Sequence, residues 1–134
     1  MSKQIATKTG MLSSTHVAAV PVATTATVYT RSVLMGSGEN YALQYKATSD
    51  GTVLLKIELE VGLVPPTTEG SADTTNYCVP ENFADIESAL ADENLHQKNI
   101  APPVSKYCRL KITGSGANDA TTTLTATLIK QSDV

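Results

Sequence analysis

The segment YALQYKATSDGTVLLKIELEV, residues 41–61, alternates apolar and polar side chains on both sides of an Asp50-Gly51 pair. Such alternation is typical of β-strands that bury one face. Asp-Gly is a strong signal for a hairpin turn, because a tight turn with positive φ angles matches the twist of the flanking strands. The sequence therefore predicts a β-hairpin whose buried face carries alternate residues: Tyr41, Leu43, Tyr45, Ala47, Val53, Leu55, Ile57, Leu59 and Val61.

The sequence on either side predicts further strands. Residues 15–35 are rich in Val, Thr and Ala, a composition that favours strands, and Pro21 places that strand at an edge or a bend. Residues 106–113 and 121–130 alternate in the same way around the loop GSGANDA, which predicts a second hairpin. Residues 95–100 form one more candidate strand.

One helix and one long loop are predicted between the two hairpins. Residues 81–90, ENFADIESAL, carry Phe83, Ile86 and Leu90 at helical spacing with acidic residues early, which predicts a short helix. Residues 62–80 contain two adjacent prolines followed by small polar residues. Adjacent prolines deny the backbone a regular strand, so we expect an exposed loop, the kind of segment that often carries function.

These elements predict a single domain, since 134 residues is close to the commonest domain size. The expected class is all-β, either an antiparallel β-sandwich or a jelly-roll-like barrel with one short helix and an N-terminal arm. The arm covers residues 1–14 and the β domain covers residues 15–134. Three apolar residues of the arm, Ile5, Met11 and Leu12, are candidate anchors for an interface with another subunit.

The composition argues against nucleic acid and membrane as partners. The chain is 41% hydrophobic and 17% charged, which is typical of a folded domain. A net charge of -3 provides no basic surface for phosphate groups. No apolar run approaches the roughly 20 residues of a membrane span, and residues 1–10 lack the apolar core of a signal peptide.

The sequence offers little for catalysis. A hydrolytic triad needs a histidine beside a nucleophile and an acid, and His16 and His96 are the two histidines. Neither accompanies a GxSxG motif. Since no such motif is present, we expect a protein without catalytic residues. An enzyme would need a cleft that joins His96 to Asp92 or Glu93.

Cofactor and metal sites are not predicted either. The densest acidic cluster lacks the spacing of a calcium-binding loop and is interpreted as solvated carboxylates, with loose calcium coordination at residues 92–94 left open. Cys78 and Cys108 lack the paired spacing of a zinc site. They form either a disulfide or, in a reducing compartment, two small buried hydrophobic residues, and the inward parity of Cys108 favours burial.

The C-terminal stretch KYCRLKITGSGANDATTTLTATLIKQ, residues 106–131, combines a YCRLKITG strand, a Gly/Asn loop and a Thr-rich strand. It resembles the end of small structural proteins of tailed bacteriophages that are often found near the capsid genes. The resemblance covers the last third of the chain best, and the N-terminal half shares general composition. No functional residues can be carried over, because these proteins share no site motif that aligns here.

The resemblance implies a non-enzymatic virion structural protein, a capsid decoration or cement protein on the outer surface of a phage head. Its partners would be the major capsid protein or other virion subunits, with assembly in the host cytoplasm as a homo-oligomer such as a trimer. An arm anchored by Ile5, Met11 and Leu12 would lie across a neighbour or add a strand to its sheet. The alternatives are a tail or head-fibre component and a small carbohydrate-binding β-sandwich, which would display exposed tyrosines among Tyr29, Tyr41, Tyr45, Tyr77 and Tyr107.

Overall fold

The computed structural model describes residues 4–9, 20–21, 24–35, 40–100 and 105–133. Within these ranges the chain forms eleven β-strands and no helix, which confirms the predicted all-β class. In chain order the strands are β1 (Gln4–Thr9), β2 (Val20–Pro21), β3 (Thr27–Tyr29), β4 (Val33–Leu34), β5 (Asn40–Thr48), β6 (Leu55–Gly62), β7 (Tyr77–Cys78), β8 (Glu87–Leu90), β9 (His96–Ile100), β10 (Tyr107–Gly114) and β11 (Thr123–Asp133).

The strands form two antiparallel sheets. The first has the order β1-β11-β5-β9, with β2 paired to the other end of β11. The second has the order β3-β10-β6-β7, with β4 also on β10 and β8 also on β6. Each sheet is therefore built on a long central pair, and most of its edges are divided into short strands, which limits edge-to-edge pairing with other chains.

Both predicted hairpins are wrong in their pairing, although their strands are confirmed. β5 pairs with β11 in the first sheet, whereas β6 pairs with β10 in the second. The connection 49–54, which bends at Asp50-Gly51, and the loop 115–122 therefore each cross from one sheet to the other. Alternation shows which face of a strand is buried and does not identify its partner, and a short connection can join strands of facing sheets as readily as neighbours in one sheet.

The two crossing connections are bonded to each other. The backbone N–H of Asp119 donates to the carbonyl of Thr52 over 2.7 Å, and the N–H of Leu54 donates to Oδ1 of Asn118 over 3.0 Å. A Cβ on Gly51 would lie 2.8 Å from Oδ1 of Asp119, so a larger residue there would displace the Asp119 side chain. These contacts hold the two crossings as one unit at one end of the domain, which we call the crossing end.

Replacing Asn118 by alanine tests this unit. Asn118 is buried, and its loss leaves the N–H of Leu54 without its acceptor, so we expect the free energy of unfolding to fall by about 1–3 kcal/mol. Gly116→Ala is the matched control in the same loop, because an added Cβ there meets nothing within 4 Å. Urea denaturation measures both, and equal stability of the two variants would contradict the role given to Asn118.

One hydrophobic core lies between the two sheets. It joins the inward side chains of the central strands of both sheets, and the predicted alternation from residue 41 to residue 59 is confirmed in its burial. The fully buried members include Leu43, Leu124 and Leu128 of the first sheet and Leu55, Ile57, Leu59, Leu110 and Ile112 of the second. Aliphatic side chains form most of this core, in keeping with the low aromatic content.

The predicted helix over residues 81–90 is wrong. Residues 81–86 form a turn and an irregular segment, and Glu87–Leu90 is the strand β8, paired to the edge of β6. The N–H of Ile86 donates to the carbonyl of Ile57 over 2.9 Å. The apolar residues at helical spacing do pack on the core, but they do so from a turn and a strand, because β6 offers open backbone groups that outweigh local propensity.

The predicted N-terminal arm is not seen as an arm. Its residues 4–9 form β1, which pairs in register with β11 from Gln4 opposite Asp133 to Thr9 opposite Leu128. Of the three candidate anchors, Ile5 lies in β1 opposite Ser132. Met11 and Leu12 lie outside the described residues.

Candidate functional site

His96 lies at the side of the domain where β9 of the first sheet approaches β8 of the second. Its Nε2 is 2.7 Å from Oδ1 of Asp92. Its ring stacks on Tyr45 with a centroid distance of 5.4 Å and an interplanar angle of 15°. Glu93 instead accepts a hydrogen bond from the N–H of Ser49 over 2.9 Å. The structure thus joins His96 to Asp92 and not to Glu93.

The hydroxyl of Tyr45 is the buried member of the same cluster. Tyr45 is only 1% exposed, and its hydroxyl donates to Oε2 of Glu87. Nζ of Lys98 lies 3.6 Å from that carboxylate oxygen and donates to the carbonyl of Ile86. Burial and then the bond to Glu87 raise the pKa of Tyr45 well above its ordinary value, so the phenol stays a neutral donor.

The side chains of this cluster link β5, β8 and β9 to one another. In the described ranges the His96 ring is hydrogen-bonded to Asp92 and to no Ser, Thr or Cys side chain, whereas a triad requires a nucleophile within hydrogen-bond reach of the histidine. The bonds from His96 and from the N–H of Asn94 lower the pKa of Asp92. Within the described part of the chain, no three His, Cys, Asp or Glu side chains come together as a metal site.

Arg109 forms a second polar centre, on the outer face of the second sheet. Its side chain is 0% exposed, and its guanidinium carbon lies 4.3 Å from the ring centroid of Tyr29 and 4.6 Å from that of Tyr77. Nε donates to Oε1 of Glu60 and Nη1 donates to the carbonyl of Ser71, each over 2.8 Å. Strand alternation places Arg109 on the solvent side, and the sequence holds no direct signal that the loop 63–76 covers it.

Gly62 gives the Tyr77 ring its place against the sheet. The two residues lie opposite each other on β6 and β7. A Cβ on Gly62 would approach Cε1 of Tyr77 to 2.9 Å and the carbonyl of Asn76 to 2.6 Å. The missing side chain therefore allows one wall of the Arg109 site to form.

Truncating Arg109 tests the weight of this centre. Arg109→Ala leaves the carboxylate of Glu60 buried without its partner, so we expect a loss of about 3–5 kcal/mol in the free energy of unfolding. Lys111→Ala, on the same strand and face, should change it by no more than about 0.5 kcal/mol. The double change Arg109→Met with Glu60→Met should recover part of the loss, as measured by urea denaturation, and a double variant as unstable as Arg109→Ala would contradict the account.

The covering loop is held in shape by two carboxylates. Glu69 accepts from the N–H and the hydroxyl of Ser32 over 2.9 and 2.8 Å, which fastens the loop to the segment between β3 and β4. Asp73 accepts from the N–H of Thr67 over 2.9 Å and from the N–H and side-chain amide of Asn76. These bonds, with that from Thr67 the strongest cause, lower the pKa of Asp73 to about 2.

The Asp73 bonds predict a specific pH dependence. Because folding lowers its pKa, the ionised carboxylate stabilises the fold above about pH 4 and this contribution is lost as the pH falls toward about 2. Asp73→Asn should therefore melt below the wild type at neutral pH, and the two melting temperatures should converge in acid. Asp50→Asn, at an exposed site, is the control, and a Tm difference for Asp73→Asn that is independent of pH would contradict the prediction.

Three exposed apolar residues lie at the end of the second sheet opposite the crossing end. Leu34, Leu63 and Val64 are 53%, 71% and 47% exposed. Leu34 lies opposite Tyr107, which has Gly62 on its other side, and Leu63 follows Gly62 directly. We call Leu34, Leu63 and Val64 the apolar end. Leu63 and Val64 line a groove together with neighbouring residues that include Thr75 and Asn76.

The cysteines are both free. Cys108 is buried in the core, as its parity predicts, and burial raises its pKa to about 12. Cys78 is exposed, and Val61 lies between the two in the register of β7, β6 and β10. The disulfide alternative is therefore wrong, and the buried alternative holds for Cys108 alone.

The five tyrosines differ in exposure. Tyr41, Tyr45 and Tyr77 are buried. Tyr29 and Tyr107 are partly buried, and the Tyr29 ring stacks on Arg109. The carbohydrate-binding alternative would therefore have to use Tyr29 or Tyr107 as its stacking surface.

Comparison with known proteins adds no family. No protein-family model matches the sequence, and none of the curated proteins is detectably similar to it. The described residues include no helix able to cross a membrane.

Proposed function

We propose that this chain is a non-enzymatic structural protein of a tailed-phage virion, a decoration or cement protein that binds the outer capsid surface and stabilises it. It would act as a homo-oligomer on the major capsid protein or another virion subunit, after assembly in the host cytoplasm. The proposal starts from the resemblance of residues 106–131 to small phage structural proteins. The observation that most supports binding to another protein is the apolar end.

The apolar end suits a protein partner. Three large apolar side chains lie exposed at one end of one sheet, and burying a side chain of this size contributes about 1.5–3 kcal/mol. The neighbouring loop 63–76 is ordered by Glu69, Asp73 and the bond from Arg109 to Ser71. A pre-ordered apolar surface loses little entropy on binding, which favours repeated docking on a lattice.

The polar clusters favour a structural role over catalysis. The bonds of His96, Asp92, Tyr45 and Glu87 link β5, β8 and β9 to one another. Arg109 is enclosed by the protein itself. A tail or head-fibre component remains the alternative within the same class, because the apolar end suits a fibre contact equally well.

For the architecture we infer a β-sandwich wound in a jelly-roll-like manner. The supporting feature is that the pairs β5 with β11 and β6 with β10 continue into each other through the two bonded crossings. A paired ribbon that folds over as a unit in this way encloses its core between two sheets.

Capsid binding tests the function. The purified chain is mixed with heads of its own phage that lack accessory proteins, and co-sedimentation is measured over a range of chain concentrations. We expect saturable binding by the wild type. Leu63→Asp with Val64→Asp should weaken it at least about 10-fold, since both side chains lose burial and gain charge.

Leu95→Asp is the matched control, because Leu95 is 63% exposed but lies beside β9, away from the apolar end. Unchanged melting temperatures would show that both variants remain folded. Antibody labelling of intact virions separates heads from tails. A wild type that binds no heads and labels only tails would overturn the decoration role in favour of the fibre alternative.

A further inference from the structure

We propose that Lys98 keeps the open edge of β9 from pairing with a strand of another chain. The side chain lies where an added strand would cover its charge, so association of subunits is directed to other parts of the domain. The inference goes beyond the proposed function, because it concerns the isolated chain and requires no capsid.

The first observation is that β9 lies at the edge of the first sheet. It pairs on one side with β5, from Tyr41 opposite Ile100 to Tyr45 opposite His96, and no described strand lies on its other side. β9 is five residues long, whereas the edge strands of the second sheet have two to four residues. A continuous open edge of this length offers its backbone groups to a strand of another chain, so it needs some form of protection.

The second observation is that Lys98, at the centre of β9, occupies an inward position. It lies opposite Leu43, and residues opposite each other on neighbouring strands share a face. Leu43 is 0% exposed in the core. An apolar side chain is the usual choice on the core-facing side of a strand, yet the sequence has a lysine there, and 47% of its side chain remains exposed.

The third observation is where the Lys98 side chain ends. Its Nζ donates to the carbonyl of Ile86 and lies 3.6 Å from Oε2 of Glu87, the first residue of β8. Lys98 therefore reaches from the edge of the first sheet to the edge of the second. It joins the two edges on the same side of the domain as the bond from Tyr45 to Glu87.

These contacts make the charge of Lys98 an obstacle to a further strand. Among the described residues the ammonium group has one direct hydrogen bond, so two of its three N–H donors depend on solvent. A strand added beside β9 would cover the exposed part of the side chain and exclude that solvent. A charge without solvent or sufficient partners is strongly unfavourable, and an inward charge on an edge strand is a recognised means of keeping the edge unpaired.

The outward residues of β9 provide no comparable barrier. Gln97 and Asn99 are exposed and uncharged, and the side-chain amide of Gln97 accepts a hydrogen bond from Gln44 on the neighbouring strand. Amide side chains of this kind are compatible with pairing between strands. Protection of the middle of β9 therefore depends on Lys98.

Self-association and amide hydrogen exchange test the inference. Lys98→Ile removes the charge, and Asn99→Ile is the matched control, because it adds the same side chain to the next residue of β9 and leaves Lys98 in place. We expect Lys98→Ile to self-associate at least about 10-fold more tightly than the wild type in sedimentation velocity. The β9 amides that point away from β5 should exchange without protection in the wild type and become protected in Lys98→Ile. Asn99→Ile should match the wild type in both measurements.

Two further variants separate the charge of Lys98 from its ion pair. Lys98→Arg keeps the charge, and Glu87→Gln removes the ion pair while Lys98 stays charged, so both should associate as the wild type does. Melting curves show whether each variant is folded. If Lys98→Ile does not fold, Lys98→Gln takes its place, because its amide can donate to the carbonyl of Ile86 without carrying a charge.

Three results would overturn the inference. The first is that Lys98→Ile associates no more tightly than Asn99→Ile, and the second is that the outward amides of β9 are already protected in the wild type. The third is that Glu87→Gln associates as tightly as Lys98→Ile, since the effect would then belong to the lost ion pair. None of these measurements contains capsids, so their outcome is independent of the co-sedimentation assay that tests the proposed function.

Discussion

The outer face of the second sheet and the loop 63–76 that covers it depend on the buried guanidinium of Arg109. Removing an arginine from water is expensive unless its charge and donors are met in the interior. Here Glu60 of β6 bonds Nε and the carbonyl of Ser71 bonds Nη1, while the rings of Tyr29 and Tyr77 lie against the guanidinium. Nη2 is buried and has no hydrogen-bond partner among the described residues. The groups that contact the guanidinium come from β3, β6, the loop 63–76 and β7, so the centre forms only when all of them are in place.

The same contact explains why the long loop 63–76, which is rich in Thr and contains two adjacent prolines, keeps one shape. Such a loop has little apolar surface to bury, so its order must come from polar contacts. Arg109 bonds its middle, Glu69 fastens it to Ser32, and Asp73 closes it upon itself. Together they fix the position of the loop whose first residues, Leu63 and Val64, carry the apolar end.

The sequence was sufficient to predict the four central strands β5, β6, β10 and β11 and insufficient to predict how they pair. Alternation located the core face of β5, β6, β10 and β11 because the inward positions are apolar along each strand. It could not distinguish a hairpin from a crossing, since the deciding contact, between Asn118 and Leu54, joins residues that are 64 apart in the chain. Gly51 also lacks the positive φ that the predicted hairpin turn requires. The helix predicted from Phe83, Ile86 and Leu90 was wrong for a related reason. Their spacing fits a helix, but backbone pairing with the open edge of β6 favoured a strand.

The polar sites were beyond reach from sequence for another reason. The sequence analysis named Asp92 and Glu93 as partners of His96 only as what an enzyme would need. The stacking of His96 on Tyr45 could not be predicted, because it follows from the pairing of β5 with β9. Arg109 was assigned to solvent because parity describes a bare sheet, and a covering loop reverses that assignment. A buried arginine on an outward position is therefore a sign that a loop crosses that face.

The two ends of the domain differ in the contacts that their residues make within the chain. At the crossing end, the connections after β5 and β10 bond to each other. On the opposite side of the domain, Leu63 and Val64 of the apolar end follow directly after β6. The last residues of β11 lie there too and pair with β1. The apolar end thus lies away from the bonds that join the two crossings. A subunit built in this way can bury its apolar end against a partner without disturbing its own core, because the crossings that connect its central pairs lie at the other end of the domain.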